Sequence, residues 1–167
     1  AWTHEGIAVG VDFTVPMMAA GRGKLAGLEG RRAAFVGGDA LRLPFPDNTF
    51  DAITTGFVMR NVTDIPQALR EMYRVARPGG VMACLEVARP KHALVRLGHR
   101  VYFESIVPWI GQILGGDRRA YTYLPQSARA FPSPERLAAM MREAGWRHVT
   151  YRRHSLGAVA IHVGAKV

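Results

Sequence analysis

Apolar residues in this chain fall into short runs separated by polar, glycine- and proline-bearing turns. Ile7 to Val11 and Ala33 to Val36 are unbroken, and Phe50 to Phe57 and Val81 to Val87 are strand-like runs that carry a few polar residues. A wholly apolar run of roughly four to eight residues between turn signals suits a strand buried on both faces, and such strands build parallel sheets. Between these runs lie segments with helical spacing. Thr14 is placed to cap a helix with Pro16 in its first turn. After Thr63 or Asp64 as cap, Ile65, Ala68, Leu69, Met72 and Val75 share one helix face, and Arg77-Pro78-Gly79-Gly80 is expected to stop that helix. Ser133, Pro134 and Gly145 mark the cap, first position and exit of another helix, whose buried stripe is Leu137, Met140, Met141 and Ala144. Trp146 to Arg153 alternates, with Arg147, Arg152 and Arg153 expected in solvent. Ala158 to Val163 follows the turn Ser155-Leu156-Gly157, and so short a connection makes the last two strands antiparallel. The pattern predicts an α/β fold, mostly parallel, with an antiparallel C-terminal strand.

The texture changes between Arg89 and Pro132. Leu94, Leu97, Val101, Ile106, Trp109, Ile110, Ile113 and Leu114 form long apolar, helix-like stretches edged by Arg96, Arg100, Arg118 and Arg119. We read residues 1–167 as one domain and 89–132 as a helical cap over its crevice. Core helices and helices suited to a greasy ligand or a membrane surface both fit this pattern.

Composition narrows the setting. At 167 residues the chain is long enough for one domain to bury a sizeable core. Its single cysteine, Cys84, excludes a disulfide framework and a four-thiolate metal site, fits a reducing cytoplasmic setting, and is expected to pack as a small hydrophobe. The first residues lack the basic and long apolar parts of a signal peptide, and no run is apolar for the length that spans a bilayer. The net charge of +9 rests almost wholly on arginine, since only Lys24, Lys91 and Lys166 are lysines. That charge suits nucleic acid, anionic lipid or acidic substrates, and equally an arginine-rich surface with no specific partner.

Candidate chemistry gathers at strand ends, because ligands of open α/β sheets bind outside the carboxyl ends of the strands. Asp12 closes the first run and is placed either to bond ribose hydroxyls or to help cap the next helix. Asp39 follows the second run after Gly37-Gly38, where the missing Cβ atoms let main chain approach a ligand. Gly56 stands near the end of the third run, and Arg60-Asn61 lie just beyond it. Gly21-Arg22-Gly23-Lys24 and Gly27 have neither the spacing nor the strand-to-helix position of a phosphate loop. His92 and His99 have no third ligand at metal spacing, and His162 within an apolar strand is expected to be a satisfied core histidine.

With these residues in place the chain resembles the UbiE/MenG/COQ5 family of class I S-adenosylmethionine-dependent methyltransferases, which methylate a ring carbon of ubiquinone or menaquinone precursors. The resemblance covers nearly the whole chain. It rests on GVDFTVPMM (10–18), GDALRLPFPDNTFDAIT (38–54), MRNVTDIPQALREMYRVARPGG (59–80), CLEVARP (84–90), YTYLPQSARAFPS (121–133), MMREAGW (140–146) and AVAIHVG (158–164). MRNV, YRVARPGG and YTYLPQSARAFP are its specific parts. Ala76, Arg77 and Ala88 depart mildly from the family's pattern. The glycine-rich DVGCGTG-type loop and its strand, which in the family precede GVD, do not occur in these residues. The resemblance places that strand centrally, between the Ile7 and Phe50 strands, so the chain is expected to be an N-terminally incomplete, Rossmann-like domain.

The resemblance implies S-adenosylmethionine as cofactor, no metal, and a prenylated quinol as acceptor. It assigns Asp12 to the ribose hydroxyls, Asp39 and the Ala40 N–H to the adenine edge, and Gly56 to the closest backbone approach. Arg60 with Asn61 would stabilise the acceptor's oxyanion; arginine stays protonated, so it is a poor base. Tyr121, Tyr123 and Arg129 are candidates for the acceptor pocket. The cytoplasm, with peripheral contact at the inner membrane face, follows from such an acceptor, and a homodimer stays open. Two other readings remain: methylation of another apolar molecule or of nucleic acid, of which the greasy 89–132 segment argues against nucleic acid, and a non-catalytic methyltransferase-like fragment.

Overall fold

The structure, a computed structural model, describes residues 6–14, 16, 18, 19, 21, 32–90 and 131–167. Two sheets emerge. Strand β1 (Ile7–Asp12) pairs in parallel with β2 (Arg32–Gly37), in register from Ile7 opposite Arg32 to Asp12 opposite Gly37. The second sheet has the order β3-β4-β6-β5, formed by β3 (Phe50–Gly56), β4 (Ala76–Val87), β5 (Arg147–His154) and β6 (Val159–Ala165). β3 runs parallel to β4, while β6 is antiparallel to both β4 and β5, as the short final connection requires. Among the described residues no backbone pairing joins β1 to β3. That is where the family resemblance places a further strand.

Helix α1 (Ile65–Val75) begins as its sequence dictates: the Asp64 side chain accepts the Gln67 N–H at 2.9 Å, and Pro66 sits in the first turn. Ala68, Leu69, Met72 and Val75 are buried. Its exit differs from expectation. β4 starts at Ala76 without an intervening loop, so Arg77-Pro78-Gly79-Gly80 belongs to an extended segment instead of a stop. A register shift between Phe50 and Ala52 and the positive φ of Gly79 (80°) accommodate this irregular start. The carbonyls left at the helix end are taken by the far end of the chain: Lys166 Nζ donates to Tyr73 O at 2.9 Å and Ala76 O at 2.8 Å.

Helix α2 (Pro134–Glu143) is capped by Ser133, whose hydroxyl accepts the Arg136 N–H, and ends before Gly145 at φ 109°. Its Leu137, Ala138 and Met141 close on Leu69, Met72, Met82, Cys84 and Trp146 to form the core. Each such aliphatic side chain gains about 1.5–3 kcal/mol from burial. Trp146, fully buried, also donates its indole N–H to Leu69 O at 3.2 Å and meets Tyr73 edge-on. Cys84 is fully buried, and burial pushes its thiol up to about 12. His162 is buried with Nε2 2.9 Å from Pro134 O.

Two expectations are corrected. Arg153 is not solvated: it pairs with Glu135 at 3.0 Å and donates to Arg89 O, because β5 lies against α2 at that point. Ile7 is 63% exposed and Val11 37%, so β1 is not buried on both faces; its second edge, unpaired among the described residues, lies along a cavity.

Candidate functional site

A cavity of about 1090 Å³ lies between the two sheets. It runs the length of both facing strands, from Ile7 and Phe50 at their starts to Asp12 and Gly56 at their ends. Its polar groups sit at the carboxyl end: Asp12, Asp39, Ala40, Gly56 and Asn61 all line it. The structure thus brings five of the six candidates it describes to one surface. Arg60 is half-buried on the same turn as Asn61 without lining the cavity. Tyr121, Tyr123, Arg129, His92 and His99 lie outside the described residues, as does nearly all of the expected cap.

Each acid is prepared by its own backbone. Asp12 Oδ1 accepts the Thr14 N–H at 2.6 Å, the local turn that the capping alternative anticipated, and the carboxylate retains a second oxygen for hydroxyl donors. Asp39 Oδ1 accepts the Leu41 N–H at 2.9 Å, and the Arg42 N–H bonds Asp39 O. The glycines divide in role. A Cβ on Gly38 would fall 2.8 Å from Pro44 Cδ and 3.0 Å from Val11 Cγ1, so protein atoms, not a ligand, fill the space that residue leaves. A Cβ on Gly56 would meet nothing within 4 Å, and its main chain faces open cavity.

The loop after Asp39 is held from a distance by α1. Gln67 Nε2 donates to Leu41 O at 3.3 Å, Glu71 accepts the Leu43 N–H at 2.9 Å, and Arg74 donates to Leu43 O at 3.0 Å and Phe45 O at 2.8 Å. Arg74 also pairs with Asp47 and Glu71, each at 2.8 Å. The Arg74 hydrogen bond holds the Glu71 carboxyl below its ordinary range, with the Leu43 N–H acting the same way against burial. Leu41, Leu43 and Phe45 are cavity wall, so this polar side of α1 shapes the site. Sequence reasoning missed it. The only available signal was that residues 67, 71 and 74 recur at helical spacing beside the apolar stripe, which does not reveal what they face.

After Gly56 the chain turns sharply. Phe57 has φ 57°, a left-handed conformation unusual for an aromatic residue, and its N–H bonds Leu85 O at 2.9 Å. The turn Met59–Asn61 follows, with Met59 fully buried. Glu86 on β4 is also fully buried, and its Oε1 accepts the Met59 N–H at 2.6 Å. Burial pushes its carboxyl upward; the Met59 and Val87 N–H groups and the Arg60 charge pull the other way.

Acids at the ends of two adjacent parallel strands, an open glycine at the end of a third and an antiparallel closing strand belong to a fold shared with class I S-adenosylmethionine-dependent methyltransferases. The fold agrees with that of a SAM-dependent methyltransferase from Thermotoga maritima, at TM-score 0.67 and 20% identity over 96% of this chain and 73% of that one. The chain belongs to the ubiE/COQ5 methyltransferase family, whose profile matches residues 2–166. It is 65% identical over 165 residues to a demethylmenaquinone methyltransferase from Roseiflexus castenholzii, covering 99% of this chain and 68% of that protein. A demethylmenaquinone methyltransferase from Thermus thermophilus is 47% identical over 156 residues, 93% of this chain and 70% of the relative. Among the described residues no helix is long and apolar enough to cross a membrane.

The residues present fit S-adenosylmethionine on this structure's own terms. Two carboxylates with backbone-fixed Oδ1 atoms and a main chain open at Gly56 supply acceptors for hydroxyls and amines and room for close approach.

Proposed function

We propose that this protein transfers a methyl group to a ring carbon of a reduced, prenylated demethylmenaquinone. The observation that carries the reading is the 65% identity, along almost the whole chain, to a demethylmenaquinone methyltransferase. S-adenosylmethionine, when bound, supplies a methyl on a sulfonium leaving group. Asp12 accepts from the ribose hydroxyls, while Asp39 and the Ala40 N–H meet the adenine edge. Gly56 lets the main chain lie against the ligand. Arg60 and Asn61 donate toward the quinol oxygen and favour its ionised form, whose lone pair pushes electron density onto the ring carbon that attacks; as the C–C bond forms the donor's C–S bond breaks, the thioether leaves, and the ring proton passes to solvent water as the ring regains aromaticity.

Tyr121, Tyr123 and Arg129 belong to the acceptor side of this proposal on the strength of the family motif they occupy. Phe13 and Val58, both exposed and both lining the cavity, support an apolar approach for a prenyl tail. Such an acceptor resides in the bilayer, so we place the enzyme in the cytoplasm with peripheral contact at the inner membrane face. A homodimer is compatible with this arrangement.

The test is methyl transfer from radiolabelled S-adenosylmethionine to chemically reduced demethylmenaquinone, with a demethylated benzoquinol in parallel. Label in the naphthoquinol product is expected; label only in the benzoquinol overturns the acceptor assignment. Arg60→Ala is expected to lower kcat at least tenfold with S-adenosylhomocysteine affinity kept within about twofold. Equal loss of both would assign Arg60 a structural role.

A further inference from the structure

The mechanism above leaves a buried acid unused. Glu86 lies at the end of β4, which is paired on both sides, with β3 and with β6. An acid buried this completely is costly unless its oxygens are engaged, and Oε1 is engaged by Met59 N–H, 27 residues earlier in the chain. Met59 opens the turn that carries Arg60 and Asn61, and that turn follows the left-handed Phe57. Non-glycine residues hold such a conformation only where their surroundings enforce it. Here Leu85 O holds the Phe57 N–H and Glu86 holds the Met59 N–H, so consecutive β4 residues grip both ends of the strained step.

We infer that Glu86 is a positioning residue for methyl transfer, fixing through its hydrogen bond to Met59 the turn that presents Arg60 and Asn61 to the acceptor. The inference rests on the proposed roles of Arg60 and Asn61. Glu86 itself touches no reacting atom. Its chemistry here is acceptance of the Met59 N–H by a side chain anchored on a strand paired on both edges, and an amide oxygen can serve the same purpose.

The experiment compares Glu86→Leu and Glu86→Gln in the full chain, alone and combined with Arg60→Ala. Hydrogen exchange at Met59, kcat and S-adenosylhomocysteine affinity are read for each. Glu86→Leu is expected to speed exchange at the Met59 amide and to lower kcat, each about tenfold, with cofactor affinity within twofold. Glu86→Gln is expected to restore both to within threefold of the parent. In the Arg60→Ala background the loss from Glu86→Leu should shrink to the share that acts through Asn61. Parental kcat in Glu86→Leu, a loss in Glu86→Gln as large as in Glu86→Leu, or an undiminished loss in the Arg60→Ala background would each overturn the inference. If Glu86→Leu does not fold, Glu86→Asp decides: it keeps the charge but draws the carboxyl back from Met59, and parental exchange and kcat would overturn the inference. Parental kcat in Arg60→Ala alone would instead remove the underlying reading of the turn, an outcome distinct from the others.

Discussion

Asp12 and Asp39 each commit one carboxylate oxygen to their own backbone, and in the proposed function the same carboxylate also meets the cofactor. In each, Oδ1 satisfies a backbone N–H two residues on, which orients the group and leaves acceptor capacity for a ligand. Asp39→Ala removes the acceptor and frees the Leu41 N–H together. A hydrogen bond to a charged group contributes about 1.5–3 kcal/mol, and Asp39 is exposed, so the lower end applies. We expect S-adenosylhomocysteine affinity to fall about tenfold by calorimetric titration, with kcat at saturation little changed. Glu135 gives a residue-scale prediction of another kind. Its own N–H, the Tyr151 hydroxyl and Arg153 bring its carboxyl down to about 2. A carboxyl lowered in the folded state contributes stability that is present above its ordinary value of 4.5 and is lost as pH falls toward 2. Glu135→Gln should therefore flatten the acid limb of a stability-versus-pH curve over that window. An unchanged limb would mean that this half-exposed pair is screened by solvent.

At the scale of elements, α1 has two working faces. The apolar one, Ala68, Leu69, Met72 and Val75, closes the core, and the amphipathic pattern made it legible. The polar one, Gln67, Glu71 and Arg74, holds the backbone of the loop that walls the cavity. Arg74→Met should leave the Leu43 and Phe45 carbonyls without that donor, at a cost of about 1–3 kcal/mol. Cofactor affinity is expected to drop about fivefold and Tm by several degrees, while kcat at saturation stays near the parent. A change in Tm without a change in affinity would show that the loop's position does not matter to the ligand. Element boundaries also show where local rules yield. The Arg77-Pro78-Gly79-Gly80 stop signal is read correctly as the end of helical geometry, yet pairing of Ala76 with Phe50 carries the strand back to the helix itself. That pairing lies outside any local window.

At the scale of the whole molecule, stability is unevenly distributed. Among the described residues β4 and β6 are paired on both edges, whereas β1 and β3 each pair on one and line the cavity with the other. Amide groups of an open edge exchange through smaller openings than those of an enclosed strand. Hydrogen exchange should therefore be slowest in Met82 to Val87 and Ala160 to Val163, and much faster in β1. Uniform protection across all four strands would mean that the cavity is closed to water in solution.

The sequence by itself determined the class of fold, the described strands and helices within about two residues except for the start of β4, the caps at Asp64 and Ser133, the antiparallel ending and the acids at the strand ends. These follow from hydrophobic period, turn chemistry and capping, all of which act over a few residues. Family motifs added the cofactor and the class of acceptor. Only the tertiary structure decided that Gly38 makes room for Pro44 and Val11, that Arg153 is tied to Glu135 and Arg89, and that α1 grips the loop after Asp39. It alone also joined Glu86 to Met59. Such contacts connect groups tens of residues apart, and a polar side chain carries no local mark of the distant partner that its folded position supplies.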